Sequence, residues 1–163
     1  MPEPLKMTTS GDREVVIERR FDASRAQVWR AISEAELMQR WMLGPPGWSM
    51  PVCTVDLRVG GRLRYEWAHE DGRVMGLTSV FKELVPDERM VATELFDEDW
   101  TGGETLVTQT LHDVDGGTLL RTHILYASQE ARDGAVKVSG MSSGMEAGYA
   151  RLDQMFAEGA VAA

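Results

Sequence analysis

At 163 residues, with 43% hydrophobic and 26% charged side chains, the chain has the size of one domain and a globular composition, and no apolar run reaches the length that spans a bilayer. The 17 basic against 26 acidic residues leave a net charge of −9, which disfavours nucleic acid and anionic membrane surfaces, because both are bound through a local excess of Lys and Arg. Cys53 is the single cysteine, so no internal disulfide forms, and the leading residues lack the apolar segment of a signal peptide, which makes the cytoplasm the expected compartment.

The polar stretch MPEPLKMTTSGD reads as a flexible leader over 1–12, ahead of a single domain over 13–157 and a flexible tail over 158–163. REVVIERRF mixes β-branched residues with charges and predicts a strand over about 13–21. Two serines follow at capping-box spacing, Ser24 with Gln27 and Ser33 with Glu36, and predict two short helices. Val28, Trp29 and Ile32 share one face of the first; Leu37, Met38 and Trp41 share one face of the second.

Next comes RWMLGPPGWSMP, where Trp41 and Trp48 flank a Gly-Pro-Pro-Gly core that suits neither helix nor sheet ladder. From Cys53 to Tyr126 alternating segments are cut by turn signals and predict six antiparallel strands, over about 52–57, 61–68, 73–85, 89–96, 104–113 and 117–126. Leu63, Tyr65 and Trp67 segregate from Arg62, Arg64 and Glu66, which gives the sheet one dry and one wet face. In the following strand Met75, Leu77, Ser79 and Phe81 form the inward set, with Val74 and Val80 as the competing register. The dry face needs a cover. Val138, Met141, Met145, Tyr149, Leu152 and Phe156 recur at spacings of three and four and predict a long amphipathic helix. Gly140, Gly144 and Gly148 run beside that stripe at about 1 kcal/mol each in helix propensity. They signify either close packing of helix against sheet or room left for a guest.

No metal or cofactor is expected. His69, His112 and His123 fit no ligand spacing, and there is no nucleophile elbow, phosphate loop or dinucleotide fingerprint. Arg58, Arg62 and Arg64 read as a solvated strand face, and the acidic run FDEDWTGGE as a solvated loop. What remains is an apolar constellation: Trp41, Met42, Trp48 and Met50 beside the opening loop, Tyr65 and Trp67 on one strand, and Met141, Met145 and Tyr149 on the long helix. Methionine is an adaptable filler that recurs on surfaces accepting varied apolar guests. With Met75 and Phe81 added from the inward set, the expected ligand-binding residues are Trp41, Trp48, Tyr65, Trp67, Met75, Phe81, Met141, Met145 and Tyr149. Tyr65, Ser79, Gln109 and Tyr149 are the candidate polar handles.

As a set, RRFDASRAQVWRAISEAELMQRW, LGPPGW, DLRVGGRLRYEW, FKELVPDERMV, GGTLLRTH and GMEAGYARLDQMF resemble, in order, the motifs of the activator of heat-shock-protein-90 ATPase homologue family, over about residues 14–157. That family lies in the START/birch-pollen-allergen-like (SRPBCC) superfamily. The resemblance implies an α+β helix-grip fold: a curved, antiparallel, seven-stranded sheet wrapped around a long C-terminal helix, with two short helices closing one end. It implies no universal catalytic residue set, since relatives include lipid carriers, hormone receptors, polyketide cyclases or aromatases, and co-chaperone domains. The expected function is binding of a small, largely apolar molecule (a lipid, polyketide or aromatic) between sheet and helix. A cyclase- or aromatase-like enzyme is the alternative, and it requires convergent polar groups with a perturbed acid or base among them. A co-chaperone or other interaction module is the second alternative; the eukaryotic activators carry a further N-terminal domain that these 163 residues do not supply. A homodimer stays open.

Overall fold

The computed structural model describes residues 3–98, 102–137 and 141–162. In chain order its elements are β1 (Lys6–Ser10), β2 (Glu14–Phe21), α1 (Arg25–Ser33), α2 (Ala35–Trp41), β3 (Trp48–Val55), β4 (Arg62–His69), β5 (Val74–Val85), β6 (Arg89–Phe96), β7 (Thr105–Val114), β8 (Gly117–Leu125), α3 (Gln129–Lys137) and α4 (Met141–Ala157). All strands join one antiparallel sheet in the order β1-β2-β8-β7-β6-β5-β4-β3. The chain crosses from β2 to the far edge of the sheet through α1 and α2, so the two short helices close one end.

The sheet has eight strands where seven were expected. The addition is β1: residues read as a leader pair Met7 with Ile17 and Thr9 with Val15 along the edge of β2. At the other terminus, Val161 is buried in the main core, so the expected flexible tail is anchored there. β3 starts at Trp48, earlier than the strand expected from 52, and carries Pro51. Proline is tolerated because β3 is an edge strand with a register shift between Ser49 and Val52.

At Ser24 the expected capping box is present, with Gln27 reciprocating. At Ser33 it is not. That residue ends α1 and its hydroxyl donates back to the Trp29 carbonyl at 2.6 Å, leaving Glu34 to start α2 without a side-chain cap. The long C-terminal helix is present as α4, while Val138 and Gly140 lie outside the described residues and α3 precedes them unannounced by the sequence pattern.

Alternation holds along the inner face. Leu63 and Tyr65 of β4, and Leu77, Ser79 and Phe81 of β5, are buried, whereas Val74 is exposed, which settles the register in favour of the Met75 set. On the outer face Arg64 pairs with Asp97 and Glu66, and Arg58 pairs with Asp56, as solvated strand and loop charges do.

Candidate ligand cavity between the sheet and the last helix

The inner face of β4–β8 is not fully covered by α4. A cavity of about 370 Å³ remains between them, reaching from the 42–48 loop to the strands. Eight of the nine expected ligand residues line it: Trp41, Trp48, Tyr65, Trp67, Met75, Met141, Met145 and Tyr149. Phe81 does not. It is 1% exposed, packed in the main core, and fronts only a separate void of about 80 Å³ that it shares with Ser79. Both sit further along β5 than Met75 and Leu77, toward Ile32 of α1. Met50 is likewise core.

The loop residues are held from three sides. Trp41 ends α2, is 4% exposed, donates its indole N–H to the Ala31 carbonyl at 2.9 Å, and stacks on Tyr149 of α4 at 5.7 Å between ring centroids. Trp67 of β4 donates to the Met42 carbonyl at 2.8 Å, and Arg151 of α4 donates to the Gly44 carbonyl at 2.8 Å. Three turn carbonyls and termini that would otherwise need water are thereby satisfied by side chains. Trp48 stands at the rim, edge-on to His69 at 5.0 Å and under the Arg73 guanidinium at 5.3 Å. Thus Trp41 is wall and Trp48 is doorpost, which accounts for two tryptophans around an irregular loop.

The glycines of α4 divide between the two expected meanings. A Cβ on Gly148 would stand 2.9 Å from the Trp41 carbonyl oxygen, so this glycine permits close packing, against the end of α2 and not against the sheet. Gly144 faces Pro45 of the loop, and a Cβ there would lie 3.5 Å from Pro45 Cδ, an ordinary van der Waals contact.

Polar groups inside the cavity are few. Tyr65 donates its hydroxyl to Met38 Sδ at 3.2 Å, and Tyr126, beyond β8, directs its hydroxyl toward Met141 Sδ at 4.0 Å. Burial raises the Tyr65 hydroxyl well above its ordinary pKa and pushes those of Tyr126 and Tyr149 up to about 12, so all three stay neutral. Gln109 of β7 and Thr122 of β8 sit opposite each other in register. Thr122 is 4% exposed and its Oγ1 has no hydrogen-bond partner among the described residues; the Tyr149 hydroxyl faces it without reaching bonding geometry.

Glu94 of β6 went unrecognised in the sequence. It lines the cavity, and no hydrogen bond or ion pair reaches its carboxylate among the described residues. Burial alone pushes its pKa up to about 7. Met90, Ala92, Glu94 and Phe96 share one face of β6, with buried Val91, Thr93 and exposed Leu95 on the other, so parity alone did not point to it. Cys53, half-buried behind Tyr65, has its thiol pushed up to about 11 by burial and offers no ready thiolate.

Behind Tyr149 lies a second feature the sequence did not announce. Arg19 of β2, 2% exposed, donates to Glu146 at 2.9 Å and 3.0 Å and to Asp153 at 2.6 Å and 3.1 Å, both on α4, and stacks over Phe21 and Tyr149. Burial works against its charge, but the two carboxylates more than offset this and raise its pKa.

An antiparallel sheet closed over by a long C-terminal helix, with an apolar cavity between them, defines the START-like helix-grip class. The family model for Activator of Hsp90 ATPase homolog 1-like protein matches residues 22–157, and the chain belongs to this family. A crystal structure of a Rhodobacter sphaeroides protein is 37% identical, with 96% of this chain and 99% of that chain covered and a TM-score of 0.89. Proteins from Nitrosomonas europaea (21% identity, 93% and 99% covered, TM-score 0.79) and Mycobacterium smegmatis (23%, 93% and 96%, TM-score 0.80) share the fold. No curated protein matches the chain. Among the described residues no helix is long and apolar enough to cross a membrane.

Proposed function

We propose that this chain binds a small, largely apolar molecule in the cavity between the sheet and α4, admitted between Pro45, Trp48 and Gly144. The observation that carries this reading is the 370 Å³ space itself, walled by tryptophan, tyrosine and methionine side chains. Its volume lies within the range of about 300–1,000 Å³ usual for small-molecule sites, and its few polar groups among apolar walls fit the same pattern. Membership of a family whose fold houses apolar ligands supports it. A dry void of that size would cost roughly 9 kcal/mol at about 24 cal/mol per Å³, comparable with a whole domain's stability, so a guest or water belongs there.

Native mass spectrometry of the purified protein, followed by thermal unfolding against a library of lipids, polyketides and aromatics, tests the reading. A ligand at a hundred times its Kd adds about 2.7 kcal/mol and should raise Tm by roughly 5–10 °C. A ligand-free spectrum together with no shift across the library would overturn it.

A second reading, an acid–base enzyme of the cyclase or aromatase kind, is favoured by one observation: a carboxyl titrating near neutrality inside the cavity. A general acid or base works best when its pKa lies near the operating pH. Turnover of a bound polyketide that disappears in Glu94→Gln, with binding retained, would support it.

A further inference from the structure

Resting on the cavity reading, the geometry points to a ligand class: apolar molecules that end in a protonated amine, seated with the ammonium against Glu94, while carboxylate-ended molecules of the same shape are excluded. Glu94 is the one charged side chain among the described residues that line the cavity. Every cation near the space is engaged elsewhere. Arg19 is clamped by Glu146 and Asp153 behind Tyr149, Arg151 is bonded to Gly44, and Arg73 lies outside over Trp48. A fatty or aromatic acid would therefore bring a second negative charge into a low-dielectric space beside Glu94 with no cation to meet it, which is strongly unfavourable.

Several of the hydroxyl donors in the cavity are already committed. The hydroxyl protons of Tyr65 and Tyr126 point at methionine sulfurs, and that of Thr105, opposite Glu94 on β7, points at the Glu94 carbonyl at 3.4 Å. Left without a hydrogen bond among the described residues are the Glu94 carboxylate, an acceptor only when ionised, and the Gln109 amide and Thr122 hydroxyl, which accept as well as donate. An ammonium carries three donors and the compensating charge, and the aromatic walls of Trp41, Trp67 and Tyr65 suit a cation. The net charge of −9 steers in the same direction, attracting cationic ligands and repelling anionic ones.

This assignment makes binding pH-dependent. The titratable groups facing Glu94 are Tyr65 from β4, Tyr126 after β8 and Tyr149 from α4, all neutral through this range; β5 and β7 contribute no ionisable group to the lining. His123 and His69 are paired with Glu14 and Asp71 away from the cavity. With the Glu94 midpoint at about 7, the carboxylate fraction falls roughly tenfold between about pH 8 and pH 6.

Isothermal titration of six probes separates the possibilities: decylamine, decanol and decanoate, and the corresponding naphthylmethyl amine, alcohol and naphthoate, each at pH 8 and pH 6, on the wild-type chain and on Glu94→Gln. On at least one scaffold the amine should bind about tenfold or more tighter than the alcohol at pH 8, with the carboxylate weakest, and should lose about tenfold at pH 6 while the alcohol is unmoved. Glu94→Gln should abolish both the preference and its pH dependence while still binding the alcohols. Alcohols or carboxylates that match or exceed the amines in the wild-type chain, or a preference that survives Glu94→Gln, would overturn the amine assignment and leave the cavity reading standing. If none of the six binds, the cavity reading falls, and the amine assignment with it.

Discussion

A carboxyl with no partner inside an apolar space is a stability liability whose sign is fixed by its pKa. Glu94 titrates at about 7 in the folded chain against an ordinary value of 4.5. Its contribution is therefore fully present below about pH 4.5 and is lost as pH rises through 7, amounting to roughly 3 kcal/mol at most. Glu94→Gln keeps the shape and removes the titration. The variant should unfold at higher urea than the wild-type chain at pH 8, by about 2–3 kcal/mol, and the difference should shrink toward zero at pH 5; equal gaps at both pH values would contradict the assignment. The same residue marks where sequence reading stops. Parity placed Leu63, Tyr65 and Leu77 on the inner face because their neighbours were polar. On β6 both parities are mixed, with Val91 and Leu95 set against Met90, Ala92 and Phe96, and a glutamate among the second set argued for the wrong face. Only the ladder pairing Glu94 with Thr105 and Ser79 makes its direction certain.

Among elements, α4 carries the most information that spacing alone could not release. Its stripe of Met141, Met145, Tyr149 and Leu152 was legible as period 3.6, and together with strand alternation it accounts for six of the eight expected residues that line the cavity, Trp41 and Trp48 having been read from the loop they flank. The meaning of its glycines was not, because periodicity says which face a residue shares and nothing about the distance to the neighbour. Gly148→Ala drives a Cβ to within 2.9 Å of the Trp41 carbonyl oxygen. Backbone cannot move aside as a side-chain tip can, so the variant should lose about 1–3 kcal/mol despite alanine's better helix propensity. Gly144→Ala meets Pro45 at 3.5 Å, an ordinary contact, and should gain up to about 1 kcal/mol while narrowing the doorway. Urea denaturation of the two single variants reads both signs at once. Equal effects would mean that neither glycine is a spacer.

At the scale of the whole molecule, a cavity under α4 means that the helix is not held by continuous apolar packing along its length. Its buried residues, Gly148, Tyr149, Leu152 and Met155, begin at its middle, and of these only Leu152 and Met155 lie clear of the cavity that Met141, Gly144, Met145, Gly148 and Tyr149 front. What ties the two parts to the far side of the sheet is Arg19. Glu146 lies just before the buried stretch and Asp153 within it, and Glu146 also accepts from the Leu5 amide at 2.8 Å, bringing the segment before β1 into the same contact. Burial raises the Glu146 pKa, but the hydrogen bonds from Arg19 and Leu5 outweigh it and hold the group below its ordinary 4.5. The stability this contact contributes is accordingly present above about pH 4.5 and lost as pH falls through the lowered value. Arg19→Met retains bulk beside Phe21 and Tyr149 but leaves two half-buried carboxylates unpaired, at a cost of about 3 kcal/mol at pH 7. As pH falls through the lowered Glu146 value that carboxylate protonates and its share of the contact is lost in the wild type, so the thermal unfolding curves of variant and wild type should draw together toward acid pH. Hydrogen exchange adds a spatial readout. Amides of Met145–Gly148 should lose protection in Arg19→Met before those of Leu152–Met155, since the latter keep their apolar contacts. Uniform loss along α4 would mean that the helix docks as one unit and that the arginine does not divide it.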